Sequence, residues 1–179
     1  MAPAQTARVR VVHGIPDAPA VDVYVDGAKA FGGAAFKGVT DYATLDNGDY
    51  QVQVVVSGTT DVVFSQTLTL SDTDYTVVAM GTLTTTDAYT AQLQVYEDDN
   101  TLPASGQAHV RFIHLSPDAP LVNVVGGDLV LFEEVGYKED GDTYVPVPAG
   151  TYNLDVRLPP GTLGTSRLPF EVTVTLRDG

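Results

Sequence analysis

The chain has 179 residues, with 9 basic against 23 acidic side chains, a formal charge of −14 and an apolar share of 44%. The apolar share excludes a disordered chain, the length suits one large or two small domains, and so acidic a surface excludes nucleic acid and anionic membranes as partners. Cysteine is absent, which excludes disulfides, thiolate metal sites and cysteine nucleophiles together.

The opening residues, Met1-Ala2-Pro3-Ala4-Gln5-Thr6-Ala7, lack the basic end and apolar run of a signal peptide. They look like the small, polar residues that follow a cleavage site, with Met1 as an added start, and so point to export. No stretch approaches the ~18 apolar residues that span a bilayer. The three lysines, Lys29, Lys37 and Lys138, also suit a high-salt habitat, although an ordinary acidic secreted protein is preferred.

In chain order, the predicted elements are all strands. Val9-Arg10-Val11-Val12, Val21-Asp22-Val23-Tyr24-Val25 and Tyr50-Gln51-Val52-Gln53-Val54 alternate with period two, which sets one face on a core and the other in water. Strands are expected near 7–13, 20–26, 38–45, 49–56, 61–70, 74–81 and 89–96. Asp26-Gly27, Asp46-Asn47-Gly48 and Ser57-Gly58 supply turns between them. The polar run Glu97 to Gly106 follows, and residues 98–106 read as a linker between a first module, 7–97, and a second, 107–179. In the second module strands are expected near 107–114, 121–126, 129–135, 142–147, 151–158 and 167–176. Phe170-Glu171-Val172-Thr173-Val174-Thr175-Leu176 alternates, and Pro148-Ala149-Gly150 and Pro159-Pro160-Gly161 mark turns. Short strands at such spacing indicate an all-β sandwich or barrel in each module.

The two modules are copies. Val9-Arg10-Val11-Val12-His13-Gly14-Ile15-Pro16-Asp17-Ala18-Pro19 recurs from Val110, 101 residues on, as Val-Arg-Phe-Ile-His-Leu-Ser-Pro-Asp-Ala-Pro. Val21-Asp22-Val23 then matches Val122-Asn123-Val124, Phe36-Lys37 matches Tyr137-Lys138, and Gly48-Asp49-Tyr50 matches Gly150-Thr151-Tyr152. Leu70 aligns with Leu176, yet 26 residues lead from Leu70 to Tyr96 and only three follow Leu176. The second module is therefore expected to lack its last strands. Truncation is the preferred account; the alternative is completion of the sheet by another segment, through strand addition or self-association at that edge.

The segments His13-Gly14-Ile15-Pro16-Asp17-Ala18-Pro19 through Gly27, and Ser116-Pro117-Asp118-Ala119-Pro120 with Pro148-Ala149-Gly150-Thr151-Tyr152, resemble domain of unknown function family 4397. Its usual run is His-Ala-Ser-Pro-Asp-Ala-Pro-x-Val-Asp-Val-Tyr-Val-Asp-Gly. The second copy departs at the hairpin turn, with Val125-Gly126-Gly127-Asp128 where Tyr-Val-Asp-Gly is usual. The resemblance implies tandem immunoglobulin-like antiparallel sandwiches in secreted or surface-anchored proteins, and brings no activity or functional residues.

Candidate sites are weighed against structural roles. His13 and His114 end strands just before the Pro-Asp-Ala-Pro turn; either could ligate a metal or act as a base, but a ring holding the turn is preferred, since zinc wants three or four ligands. His109 is expected on the opposite face, in solvent. Asp17 and Asp118 could be imagined as a glycosidase pair, but each is expected to form an Asx-turn between Pro16 and Pro19, or Pro117 and Pro120. Tyr50 and Tyr152 suit the tyrosine corner of sandwiches. Among Tyr24, Tyr42, Tyr89, Tyr96 and Tyr144, exposed rings could stack on sugars. Glu97-Asp98-Asp99-Asn100 and Glu139-Asp140-Gly141-Asp142 offer calcium-like oxygens without calcium-loop spacing, so solvated loops are preferred. The expectation is a non-catalytic spacer, adhesive or assembling module with no cofactor, with a surface glycan or protein as partner. The alternative is a glycan- or ligand-binding module using sandwich-end loops or exposed tyrosines, and a hydrolase comes third.

Overall fold

The computed structural model describes residues 5–84, 89–141, 144–160 and 167–176, the last stretch by its backbone. The chain divides into two compact units, 1–99 and 100–179.

Unit 1 contains β1 (Thr6–His13), β2 (Val21–Val25), β3 (Ala28–Ala34), β4 (Ala43–Asp46), β5 (Gly48–Val56), β6 (Val62–Leu70), β7 (Asp74–Met80) and β8 (Gln92–Asp98). They form two four-stranded sheets, ordered β4-β1-β7-β8 and β3-β2-β5-β6. Alternation in β1 turns Ala7, Val9, Val11 and His13 inward. Val9, Val11 and Val77 of one sheet share a core with Val23, Val52, Val54 and Leu68 of the other, which makes the unit a sandwich. Each such valine or leucine contributes roughly 1.5–3 kcal/mol by leaving water.

One pair departs from the antiparallel expectation. β7 runs parallel to β1, with Val9 opposite Tyr75 and Val11 opposite Val77. The whole second sheet lies between the two in sequence, and so long a crossover lets the chain return in the same direction. Every residue of β7 from Tyr75 to Met80 is buried, the pattern of a strand covered on both faces.

Strand β3 is absent from the expected elements. Ala28-Lys29-Ala30-Phe31-Gly32-Gly33-Ala34 has no β-branched residue and no polar–apolar alternation through its glycines, so Phe31 alone among its side chains favours a strand. Its pairing with β2 is set by the turn instead: Asp26 and Gly27 both take positive φ, 48° and 78°, which gives the twist a two-residue hairpin needs. β4 is shorter than expected, and residues 38–42 contribute only an isolated bridge from Val39 to Val12. β8 runs one residue into the expected linker, ending at Asp98.

Unit 2 contains β9 (Gln107–Val110), β10 (Val122–Gly126), β11 (Leu129–Val135), β12 (Val145–Pro148), β13 (Gly150–Arg157) and β14 (Arg167–Leu176). The order β11-β10-β13-β14 repeats β3-β2-β5-β6 strand for strand, and β12-β9 repeats β4-β1. Among the described residues, β7 and β8 have no counterparts. The β10–β11 hairpin forms despite the altered motif, with Gly126 opposite Leu129 and Gly127 at φ 65°.

Candidate functional site

The repeated motif residues sit at the end of β1 and in the loop that follows it. His13 is 1% exposed. Its Nδ1 accepts the Ile15 amide at 3.2 Å, so the proton lies on Nε2, which is 3.2 Å from the Pro19 carbonyl and donates to it. The ring thus closes the loop from Gly14 to Pro19, with Pro16 exposed at its tip. Gly14 N donates to Ala79 O of β7, so the neighbouring strand holds the loop from the other side.

Asp17 is exposed, but its bonds do not go to its own turn. Both carboxylate oxygens accept the Leu83 amide at 3.0 Å, and one accepts Thr84 Oγ1 at 3.2 Å. The expected Asx-turn is replaced by a clasp across 66 residues onto the segment that leaves β7. Tyr50 donates its hydroxyl to Asp46 O at 2.7 Å, and Tyr152 donates to Pro148 O at 2.7 Å.

In unit 2 the same residues are less fully engaged. His114 Nε2 lies 3.2 Å from Pro120 O, but its buried Nδ1 has no hydrogen-bond partner among the described residues. Asp118, exposed beside Pro117, accepts Ser116 Oγ at 3.0 Å. His109, expected in solvent, is half-buried with its ring 6.3 Å from that of Tyr144. Val110 and Phe112 correspond to the buried Val9 and Val11, yet both are only half-buried.

The acidic runs are not simply solvated. Asp98 is buried, accepts Thr76 Oγ1 and the Tyr42 hydroxyl, and lies 3.6 Å from Arg10 Nε. Glu139 accepts the Gly136 amide at 2.6 Å, and Asp140 lies 3.7 Å from Arg111. Asp142 falls outside the described residues. Among the described residues no three His, Asp or Glu side chains converge closely enough to hold a metal. Of the five tyrosines considered for stacking, Tyr96 is buried and Tyr42 lies under Arg8 and Arg10 at 5.3 and 5.0 Å. Tyr24 and Tyr144 lie under Lys29 and Arg111, while Tyr89 is 40% exposed.

One repeated pair escaped the sequence reading. Asp22, buried in β2, accepts Lys29 Nζ at 2.6 Å, the Gly33 amide at 2.8 Å and Ser57 Oγ at 2.9 Å. Asn123 accepts the Glu134 amide at 2.7 Å, pinning the equivalent bulge in β11. Both bulge residues have positive φ, 65° at Gly33 and 50° at Glu134. The available signal was an Asp aligned with an Asn inside a valine strand, since the two share one carbonyl-type oxygen.

The Lys29 hydrogen bond, with those from Gly33 and Ser57, lowers the Asp22 pKa to about 2. An unfolded Asp titrates near ~3.9, so the charged form favours the folded state above that pH. This contribution is expected to fade as pH falls from about 4 towards 2. Asp22→Asn should melt below the wild type at pH 6, and the gap between their Tm values should narrow as pH approaches 2. A gap that stays constant with pH would refute this account.

The side of β9 away from β12 carries no strand among the described residues. Beneath it lies a cavity of about 220 Å³ bordered by Val110, Phe112, Val124, Leu131, Phe132 and Leu154. The corresponding space in unit 1, which Val77 of β7 helps to line, is about 40 Å³.

Two β-rich units, the first a closed sandwich and the second built on the same four-stranded sheet, define a tandem all-β protein. The chain belongs to the family described as Domain of unknown function (DUF4397), whose model matches residues 7–125, from β1 into β10. No curated protein matches it. A crystal structure of a leucine-rich repeat protein from Bacteroides thetaiotaomicron VPI-5482 is similar at 16% identity and a TM-score of 0.25. That similarity covers 98% of this chain, which spans 25% of the length of the other. No described helix is long and apolar enough to cross a membrane.

Proposed function

We propose that this chain is a non-catalytic structural and interaction module of a secreted or cell-surface protein, assembling through its second unit. The observation that carries the reading is the engagement of the repeated polar side chains in unit 1. His13 Nδ1 accepts the Ile15 amide and Nε2 gives its proton to Pro19 O, so the buried ring presents no free lone pair to a substrate, while Asp17 is bound to Leu83 and Thr84. A general base needs that lone pair within reach of the proton it removes. The acidic composition supports an extracytoplasmic place.

Two measurements test the reading. Wild-type chain and an Asp17→Asn/Asp118→Asn variant should be equally inactive on glycoside, ester and peptide substrates, while the variant melts lower. Turnover by the wild type that the variant loses would overturn the non-catalytic reading. Fractionation of source cells should place the chain outside the cytoplasm, and recovery from the cytosol alone would overturn the location.

A further inference from the structure

We infer that the open side of β9 accepts one parallel strand of the β7 type, carried on a hairpin whose second strand resembles β8. This rests on the interaction reading above and names the partner by its chemistry. Unit 1 shows what covers this edge. There β7 pairs with β1 over six residues, Arg8 to His13, in parallel register. The equivalent stretch in unit 2 is 109–114, and its strand ends at Val110. Among the described residues β9 pairs with β12 alone, and no strand lies on the side that β7 covers in unit 1; such a strand side is a template for another chain.

The side chains agree with the backbone. Tyr75, Val77 and Ala79 of β7 are buried in the unit 1 core beside Val9 and Val11. In unit 2 the matching Val110 and Phe112 are half-buried over the 220 Å³ cavity. An apolar cavity of ~150 Å³ already admits a benzene-sized guest, so this one has room for apolar side chains arriving on a strand. Valine- or tyrosine-like residues would stand opposite Val110 and Phe112, as Tyr75 and Val77 stand opposite Val9 and Val11.

The loop adds a third, independent sign. In unit 1, Ala79 O holds Gly14 N, and the next amide, Ile15 N, reaches His13 Nδ1. In unit 2 the buried His114 Nδ1 is left without a hydrogen bond. A strand whose carbonyl took the Leu115 amide would bring Ser116 N towards that nitrogen. The residues leaving such a strand would meet Asp118, as Leu83 and Thr84 meet Asp17. The occupant is therefore an apolar, β-branched strand parallel to β9, followed by a short polar segment with free amides.

The probe is a labelled synthetic peptide of Ser71–Asp99, added to the full chain. Saturable one-to-one binding is expected, with amide exchange slowed about tenfold or more at 109–114 and unchanged at 8–13. A Val77→Asp peptide should bind about tenfold or more weakly, because the charge would enter the cavity. A second form, with Ser71–Asp99 joined after Gly179 by a flexible linker, should raise the unfolding temperature of unit 2; the same fusion with Val77→Asp in the appended segment should not. No binding and no stabilisation, together with self-association that protects 109–114, would overturn the donor strand while leaving the assembly reading intact. A monomer at all concentrations that ignores both forms would overturn the two together.

Discussion

Replacing His13 by leucine is expected to destabilise unit 1 by about 2–4 kcal/mol, and the same change at His114 should cost unit 2 about half as much. The physical cause is unmade hydrogen bonds rather than lost volume. Leucine fills a comparable space but leaves the Ile15 amide and the Pro19 carbonyl without the ring that bridges them. Each buried polar group so stranded costs roughly 1–3 kcal/mol. At His114 the Pro120 carbonyl alone loses a partner, because Nδ1 already lacks one. Urea unfolding followed by amide exchange resolved over 6–98 and 107–157 would measure each unit separately. Equal losses in the two units would show that the second ring nitrogen contributes nothing, and the account of the loop would fail.

The contrast between those histidines also shows where sequence reading reaches its limit. Alternation made β1 and β5 legible, because Val9, Val11, Val52 and Val54 each turn inward to one core. The duplication was legible as well, and the order β11-β10-β13-β14 repeats β3-β2-β5-β6. What the residues could not announce was non-local. The direction of β7 relative to β1 depends on a crossover that spans the second sheet, and no local pattern encodes it. Asp17 sits in a sequence suited to an Asx-turn, yet its carboxylate is captured by Leu83 and Thr84, which only the folded chain brings near. β3 is held by its hairpin turn and by Asp22 on Gly33, so its alanines and glycines need no strand propensity. Of the candidate site, the motif histidines could be found by inspection. The open side of β9 needed the tertiary pairing of unit 1 as its template.

The burial of Asp98 carries the other large expected effect. Its side chain is 0% exposed at the end of β8, in a run of acidic residues whose composition suggests a solvated loop. Thr76 Oγ1 donates to it at 2.6 Å, the Tyr42 hydroxyl donates to it, and Arg10 Nε stands 3.6 Å away. Arg8 and Arg10 both lie against the ring of Tyr42, so one carboxylate fixes a tyrosine on which two guanidiniums rest. Asp98→Ala removes the acceptor and leaves the donors in place, which for a buried ion pair costs up to about 3–5 kcal/mol. Because Arg10 is 35% exposed, water can partly solvate its charge, and a loss of about 2–4 kcal/mol in unit 1 is expected. Asp98→Asn keeps a carbonyl oxygen for Thr76 and Tyr42 while deleting the charge, so its loss should be clearly smaller. Urea unfolding of wild type and both variants at low and high salt separates the two contributions. If the asparagine variant falls as far as the alanine one, the attraction to Arg10 dominates, and the difference from wild type should shrink with added salt. If neither variant is destabilised, the threonine and tyrosine find water as readily as the carboxylate, and Asp98 does not anchor the end of β8.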